Sequence, residues 1–126
     1  MPIEQSKSKR KLTGGRLKDN RKSRRHAKGN HPIMTQLGER KVRTTRTLGG
    51  STKVKLAAVN KIMVTNLKTK KTTVEELTNV SDNPANTNFI RRNIITKGAI
   101  VETKAGKVKI TSRPGQNGVL SGILQE

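Results

Sequence analysis

The segment from residue 6 to residue 29, SKSKRKLTGGRLKDNRKSRRHAKG, is the feature that most limits how this chain can fold. It holds eleven lysines and arginines against one acid, Asp19, and its only good apolar residues are Leu12 and Leu17. So little apolar surface cannot offset the entropy that is lost when a backbone becomes ordered. We therefore expect residues 1–30 to form a basic arm that is disordered when free and is ordered by a partner outside the chain.

The charge of the whole chain indicates what kind of partner this is. The 126 residues include 28 basic and 8 acidic side chains, which gives a net charge of +20. Self-repulsion on this scale destabilises a compact fold until counter-charge arrives, so the partner is expected to be a polyanion. Binding to an anionic membrane surface would need an amphipathic segment with large apolar residues on one face, which the arm lacks. We expect nucleic acid, and no membrane partner.

The remaining composition argues against several other classes of protein. The chain has no cysteine, which excludes disulfides and thiolate metal sites. Its two histidines, His26 and His31, have no carboxylate at a spacing typical of a catalytic pair. No apolar run approaches the ~18 residues of a membrane span, and the N-terminus lacks the apolar region of a signal peptide. We expect a soluble intracellular protein that is not an enzyme or a homo-oligomer and has no metal, cofactor or small-molecule substrate.

Residues 31–126 have the pattern of a small all-β domain. Short segments rich in Val, Ile and Thr recur between Gly, Asn and Pro. One short helix is expected at about 84–92, with Asn83 as its N-cap and Pro84 at its first position. The segment 72–80 suits a helix or a strand, and its β-branched residues favour the strand. The predicted strands are 41–47, 53–59, 61–67, 72–80, 97–103, 107–112 and 119–124.

The side chains of this domain predict where its core lies and how it binds RNA. Lysine alternates with an apolar residue in 53–56 and 107–110, which places the lysines outside, either against the partner or as a solvated face. Phe89 is the one aromatic residue and is expected in the core. Base stacking by several aromatic side chains is therefore excluded, and binding should use phosphates, 2′-hydroxyls and helix shape. The residues expected to point inward are Val54, Leu56, Val108 and Ile110.

The arm supplies most of the candidate contacts with RNA. The glycine pair 14–15 would let it bend and approach a phosphate backbone closely. Its last part could form a short helix on RNA, with Asp19 or Asn20 as the cap, residues 21–28 as the body and Gly29 at the end. It could equally stay extended along phosphates. The candidate RNA-binding residues of the arm are Lys7, Lys9, Arg10, Lys11, Gly14, Gly15, Arg16, Lys18, Arg21, Lys22, Arg24, Arg25, His26 and Lys28.

Three arginines outside the arm are further candidates. Arg91 and Arg92 follow the expected helix, where two guanidinium groups could clamp one phosphate by bidentate hydrogen bonds. Arg113 precedes Pro114 in a segment with the composition of a turn, which would hold a third guanidinium on a rigid loop. The alternative for all three is an ordinary surface charge.

Five motifs resemble those of the S8e family of archaeal and eukaryotic small-subunit ribosomal proteins, and the resemblance covers essentially the whole chain. The length is similar to that of the archaeal members. The resemblance implies a small β-barrel-like domain with a basic arm, acting in the cytoplasm as a structural constituent of the small subunit. It also implies contacts with ribosomal RNA and neighbouring ribosomal proteins. The motifs are SKRKLTGGR (8–16), KVRTTRTLGG (41–50), NPAN (83–86), RRNIITKGAIVET (91–103) and TSRPGQNG (111–118).

The same resemblance transfers RNA contacts to individual positions. Lys9, Arg10, Lys11, Gly14, Gly15 and Arg16 match the opening motif of the family. Arg43 and Arg46 match its first strand, and Arg91, Arg92, Lys97 and Arg113 match its C-terminal block. Two other functions remain open at this point, namely a ribosome-assembly factor and a non-specific nucleic-acid-packaging protein.

Overall fold

The structure is a computed structural model that describes residues 3–4 and 7–125. It divides the chain into two compact units, Met1–Pro32 and Ile33–Glu126, and each is described by itself. The predicted arm, residues 1–30, includes residues 1, 2, 5 and 6, which lie outside the described residues.

The N-terminal unit consists mainly of short turns, and neither Ile3 nor any of residues 7–32 is buried. Two strands, β1 (Ile3–Glu4) and β2 (Lys28–Gly29), pair antiparallel. A tight turn forms where the Gly14 N–H donates to the Lys11 carbonyl over 3.0 Å, and φ at Gly14 is 83°. Of the predicted helical body, only Arg25–Ala27 is helical, as one 3₁₀ turn. The conformation of the arm on RNA remains a prediction.

The second unit is built from nine strands and one short helix. Its elements are β3 (Thr35–Leu37), β4 (Lys41–Arg46), β5 (Thr52–Val59), β6 (Lys61–Asn66), β7 (Lys71–Asp82), α1 (Asn88–Arg91), β8 (Ile94–Ile95), β9 (Ile100–Thr103), β10 (Gly106–Ile110) and β11 (Ser121–Leu124). Five of the strands form a closed barrel in the order β10-β11-β6-β7-β9, and the other four form a second sheet in the order β4-β5-β3-β8.

This architecture confirms the mainly β fold, the barrel and the single helix that the sequence predicts. The seven predicted strands correspond to β4–β7 and β9–β11. Residues 72–80, which also suited a helix, lie within the long strand β7. The predicted strand 97–103 starts three residues late, at β9, because a turn with φ of 87° at Gly98 occupies its first part. The sequence did not predict the short strands β1, β2, β3 and β8.

The predicted position of the helix was wrong in detail, because Asn83 has another role. The helix α1 starts at Asn88, after the N-cap position Thr87. Asn83 is 1% exposed, and its Nδ2 donates to the Ile94 carbonyl over 3.1 Å. Its Oδ1 accepts hydrogen bonds from the Ala85 N–H and the Thr96 hydroxyl, over 3.1 and 2.9 Å. The side chain that would have capped a helix instead ties the loop after β7 to both ends of β8.

The core lies inside the barrel and under β5. Leu56, Val108 and Ile110 are buried as predicted. Val54 is 38% exposed, so its predicted burial was wrong. Its half of β5 pairs only with β4 and extends beyond the strands that cover the core. Phe89 was also placed wrongly, because it is half-buried on α1 and lies outside the core cluster.

Replacing Asn83 with alanine should destabilise the domain by about 2 kcal/mol, since the change leaves buried backbone and hydroxyl groups without partners. Urea unfolding of the full chain measures this loss. Asn79→Ala is the control, because Asn79 is exposed on β7 and its removal should cost less than about 0.5 kcal/mol. Equal losses for the two variants would contradict the role given to Asn83.

Candidate nucleic-acid interface

The arm exposes many cationic side chains to solvent within a short stretch of chain. All eleven of its lysines and arginines are exposed, as is His26. Within the turn, Arg10 and Arg16 form an antiparallel bridge, and Nη1 of Arg10 donates to the Gly14 carbonyl over 2.9 Å. Like charges opposite one another are unfavourable in the absence of an anion. The predicted bend at Gly14 is present, while its approach to a phosphate remains a prediction.

A second concentration of positive charge lies on the hairpin of β4 and β5. We call residues 41–55 the basic ribbon. No residue of β4 is buried, and none of Thr52–Lys55 is buried. The register places Arg43 directly opposite Lys55, and Lys53 stands on the same face two residues away. Neither strand carries an acid. The ribbon therefore holds a cross-strand pair of like charges that an anion would stabilise.

The tip of the basic ribbon is a fixed turn. The Gly50 N–H donates to the Thr47 carbonyl over 3.1 Å, and φ at Gly50 is 86°. The Thr47 hydroxyl donates to the Ser51 carbonyl over 2.9 Å. A Cβ added at Gly50 would lie 3.8 Å from Nη2 of Arg46, so this predicted contact residue places its guanidinium group at the tip.

The other predicted cations of the domain are attached to the same four-stranded sheet. Arg91 ends α1, Arg92 follows it, and Lys97 lies just after β8, all three exposed. They flank the edge opposite to the basic ribbon, because the sheet runs from β4 to β8. No measured contact tests the bidentate clamp that the sequence suggests for Arg91 and Arg92.

Arg113 is positioned by hydrogen bonds between its turn and the middle of this sheet. The Leu56 N–H donates to the Pro114 carbonyl over 2.9 Å, and the Thr35 hydroxyl donates to the Leu56 carbonyl over 2.7 Å. Thr35 in turn pairs with Ile95 of β8. The turn that carries Arg113 is therefore fixed against β5, next to Lys55.

A different set of lysines lies opposite acids on the barrel. We call the five residues Lys61, Glu76, Glu102, Lys104 and Lys107 the mixed wall. The register pairs Lys61 with Glu76 and Lys107 with Glu102. Nζ of Lys104 lies 3.5 Å from Oε2 of Glu76. Positive charge on these strands is thus locally compensated, unlike that on the basic ribbon.

This segregation distinguishes lysines that look alike in the sequence. The alternation left open whether the outward lysines contact a partner. Lys53 and Lys55 belong to the basic ribbon, whereas Lys107 faces Glu102. Sequence reasoning did not include Lys53 and Lys55 among the candidate contacts. The usable signal was the absence of acids from residues 41–59 and their presence in 72–82 and at Glu102.

The described residues offer little for other chemistry. Within residues 3–4 and 7–125, no group of three or more His, Asp or Glu side chains is arranged to hold a metal ion. In that same part of the chain, no helix is long and apolar enough to cross a membrane.

The exposed arm, the basic ribbon and the small barrel define a class of small β-barrel protein with a strongly basic surface. A profile of the family described as ribosomal protein S8e matches residues 4–125. The chain belongs to this family, which confirms the resemblance seen in its motifs. Its role is that of a structural component of the ribosome rather than an enzyme, and its location is that of the ribosome in the cytoplasm.

Archaeal relatives are similar over almost their whole length. The small ribosomal subunit protein eS8 of Methanobrevibacter smithii is 48% identical over 124 residues, which cover 98% of this chain and 99% of that protein. The proteins of the same name from Haloquadratum walsbyi and Methanococcoides burtonii are 46% and 44% identical. These two alignments cover 98% and 97% of this chain, and 97% and 98% of the respective relatives.

Proposed function

We propose that this chain is a structural constituent of the small ribosomal subunit, present as a single copy, and that it binds ribosomal RNA through phosphate and shape contacts. The family and the names of the relatives support the location. The observation that carries RNA binding is the segregation of charge, with exposed cations concentrated on the arm and on the two acid-free strands of the basic ribbon. The proposed contacts are Lys7, Lys9, Arg10, Lys11, Gly14, Gly15, Arg16, Lys18, Arg21, Lys22, Arg24, Arg25, His26, Lys28, Arg43, Arg46, Arg91, Arg92, Lys97 and Arg113. The basic ribbon adds Lys53 and Lys55 to this set.

The proposal also concerns the order of the arm. Ile3 and each of residues 7–30 are exposed or half-exposed, so this part of the arm has no core of its own. Its backbone is then ordered by the RNA whose phosphates its side chains neutralise. The alternatives of an assembly factor or a packaging protein have less support, because this chain matches ribosomal relatives along almost their full length.

The dependence of RNA binding on salt tests this function. If about ten side chains neutralise phosphates, log K should fall against log[salt] with a slope on the order of −7 to −9. Filter binding or fluorescence anisotropy with small-subunit rRNA, measured from low to physiological salt, gives the slope. A slope shallower than roughly −3 would overturn the extensive phosphate interface. Equal affinity for duplex DNA would favour the packaging alternative.

The basic ribbon should contribute to binding while the mixed wall should not. The double variant Arg43→Gln, Lys55→Gln should make the salt slope shallower by about 1.5. It should also stabilise the free protein by a few tenths of a kcal/mol, because the like-charge pair is removed. Binding titrations at several salt concentrations measure the change in the slope, and urea unfolding of the same preparation measures the change in stability.

The matched control is Lys104→Gln, Lys107→Gln, which changes the net charge equally on the mixed wall. Its salt slope should stay close to that of the unmodified chain, and it should not gain stability because it removes attractive pairs. If both double variants lose the same affinity, net charge alone governs binding and the ribbon has no special part.

A further inference from the structure

An apolar pocket opens on the surface of the barrel domain, and none of the proposed RNA contacts is among its described lining residues. Its volume is about 220 Å³. Its floor is formed by core side chains, including Leu56, Ile62 and Leu120. Its walls include three exposed apolar residues, namely Met63 (41% exposed), Val74 (66%) and Val119 (48%).

The walls of the pocket are unusual for a chain with so few apolar residues. Met63 of β6 and Val74 of β7 lie directly opposite each other in the register. The Met63 N–H donates to the Leu120 carbonyl over 3.0 Å, which fixes the segment that carries Val119 at the same place. A contiguous exposed apolar surface around a pocket is typical of a binding site for a protein or ligand.

The cationic side chains at the rim favour a ligand that carries a negative charge. Arg40 and Lys61 lie among its lining residues, together with the amide side chain of Asn60, and no acid lines it. The Lys61 side chain is exposed although Glu76 stands opposite it on β7. A carboxylate beside an inserted apolar group would therefore find complementary charge at the mouth.

Size and chemistry favour an amino-acid side chain over an RNA base. The volume exceeds that of an engineered cavity of about 150 Å³ that holds benzene, so one aromatic ring fits. A nucleobase needs partners for the polar groups on its edges and an aromatic or arginine face for stacking. The lining contains no aromatic residue, its floor and walls are aliphatic, and its polar side chains are Arg40, Asn60 and Lys61 at the rim. A base inserted as far as the floor would face apolar atoms and lose most of its hydrogen bonds to water.

We propose that this pocket docks another protein by receiving one aromatic side chain that stands next to an acidic residue. This chain has a single aromatic residue, so the partner supplies the ring. Buried aromatic anchors in a closed pocket carry much of the energy of protein interfaces. The inference goes beyond rRNA binding and does not depend on it, because it rests on the apolar lining of the pocket and not on the cations of the arm or of the basic ribbon.

Methyl NMR of the full chain with N-acetyl-phenylalanine tests the pocket directly. This probe carries the ring and the carboxylate, and it should shift the methyl signals of Met63, Val74 and Leu120 in a saturable way. Its uncharged amide should bind at least threefold more weakly. The variant Val119→Asp should abolish the shifts, while Leu67→Asp, which alters an exposed apolar residue that does not line the pocket, should leave them unchanged. Absence of saturable shifts, or stronger shifts with adenosine monophosphate, would overturn the proposal.

Crosslinking in the assembled small subunit identifies the natural occupant. The photoreactive residue p-benzoyl-phenylalanine would replace Asn60, an exposed residue at the rim, so that the pocket itself stays open. Mass spectrometry would identify the attached segment. A protein segment with Phe, Tyr or Trp adjacent to Asp or Glu supports the proposal. A crosslink to RNA, a crosslink to a segment without that pair, or no crosslink would overturn it. A normal salt slope of rRNA binding by the same protein would show that such a failure concerns the pocket alone.

Discussion

Deletion of residues 1–28 is expected to lower the affinity for small-subunit rRNA by on the order of 10³-fold. The deletion removes eleven basic and two acidic residues, so the net charge falls by nine, from +20 to +11. Each lost phosphate contact also removes the release of its counterions, and the salt slope should become shallower by several units. Titrations of the intact and truncated chains with the same rRNA fragment measure both quantities.

The truncated chain should still fold, because every strand of the barrel and of the second sheet begins after Ile33. Its melting temperature should lie within a few degrees of that of the intact protein. A full-length variant with the eleven arm cations replaced by glutamine separates charge from length and should bind as weakly as the truncation. If the truncated chain is unfolded, the arm is part of the core. If its affinity for rRNA equals that of the intact chain, the arm does not supply the main RNA contacts.

Substitution of Gly122 by alanine should destabilise the barrel by about 3 kcal/mol, at the upper end of what overpacking usually costs. Gly122 is buried in β11, between β10 and β6. An added Cβ would lie 2.6 Å from Cγ1 of Val108 and 2.8 Å from the carbonyl oxygen of Lys109. That oxygen belongs to the strand paired with β11, so it cannot move without disturbing the ladder.

Urea unfolding of the two proteins measures the loss. Gly49→Ala is the matched control, because a Cβ at Gly49 would meet nothing within 4 Å. Its effect should stay within about 0.5 kcal/mol. A Gly122→Ala protein as stable as the Gly49→Ala protein would mean that β10 and β11 are not held as closely as the structure has them.

The strands that could be predicted from the sequence are those long enough to show a period. In β10, Val108 and Ile110 alternate with lysines and are buried, as the pattern requires. The strands β3 and β8 have three and two residues, which is too short for any period to appear. They exist because Thr35 pairs with Ile95 and bonds to Leu56, contacts that only the tertiary structure supplies.

The errors share a physical cause. The alternation of Val54 with lysine correctly identifies a face of β5, but no pattern along one strand says whether another element covers that face. Asn83 has the local context of an N-cap, yet its side chain bonds to residues 94 and 96 instead. Local preference is worth about 1 kcal/mol at such a position, and three hydrogen bonds to a buried amide exceed it.

The candidate interface, like the fold, could be predicted from the sequence only in part. Composition is enough to identify the arm as a basic polymer, because its charge does not depend on a fold. The segregation of cations on the barrel domain depends on strand register, which sets Lys55 opposite Arg43 and Lys107 opposite Glu102. Register is a relation between two strands, even across a hairpin as short as that of Glu102 and Lys107, so it does not appear in the pattern along either strand alone.

The parallel pairing of β6 with β11 has a consequence for the biosynthesis of the chain. Ser121 pairs with Met63, so β6 must wait for a strand that is synthesised after every other strand of the barrel. Until then β6 and β10 each keep an unpaired edge, and such distant pairings slow folding. The arm, by contrast, leaves the exit tunnel before any strand of the barrel and requires no barrel strand to display its cations. The nascent chain therefore acquires its attraction for RNA before it acquires its barrel.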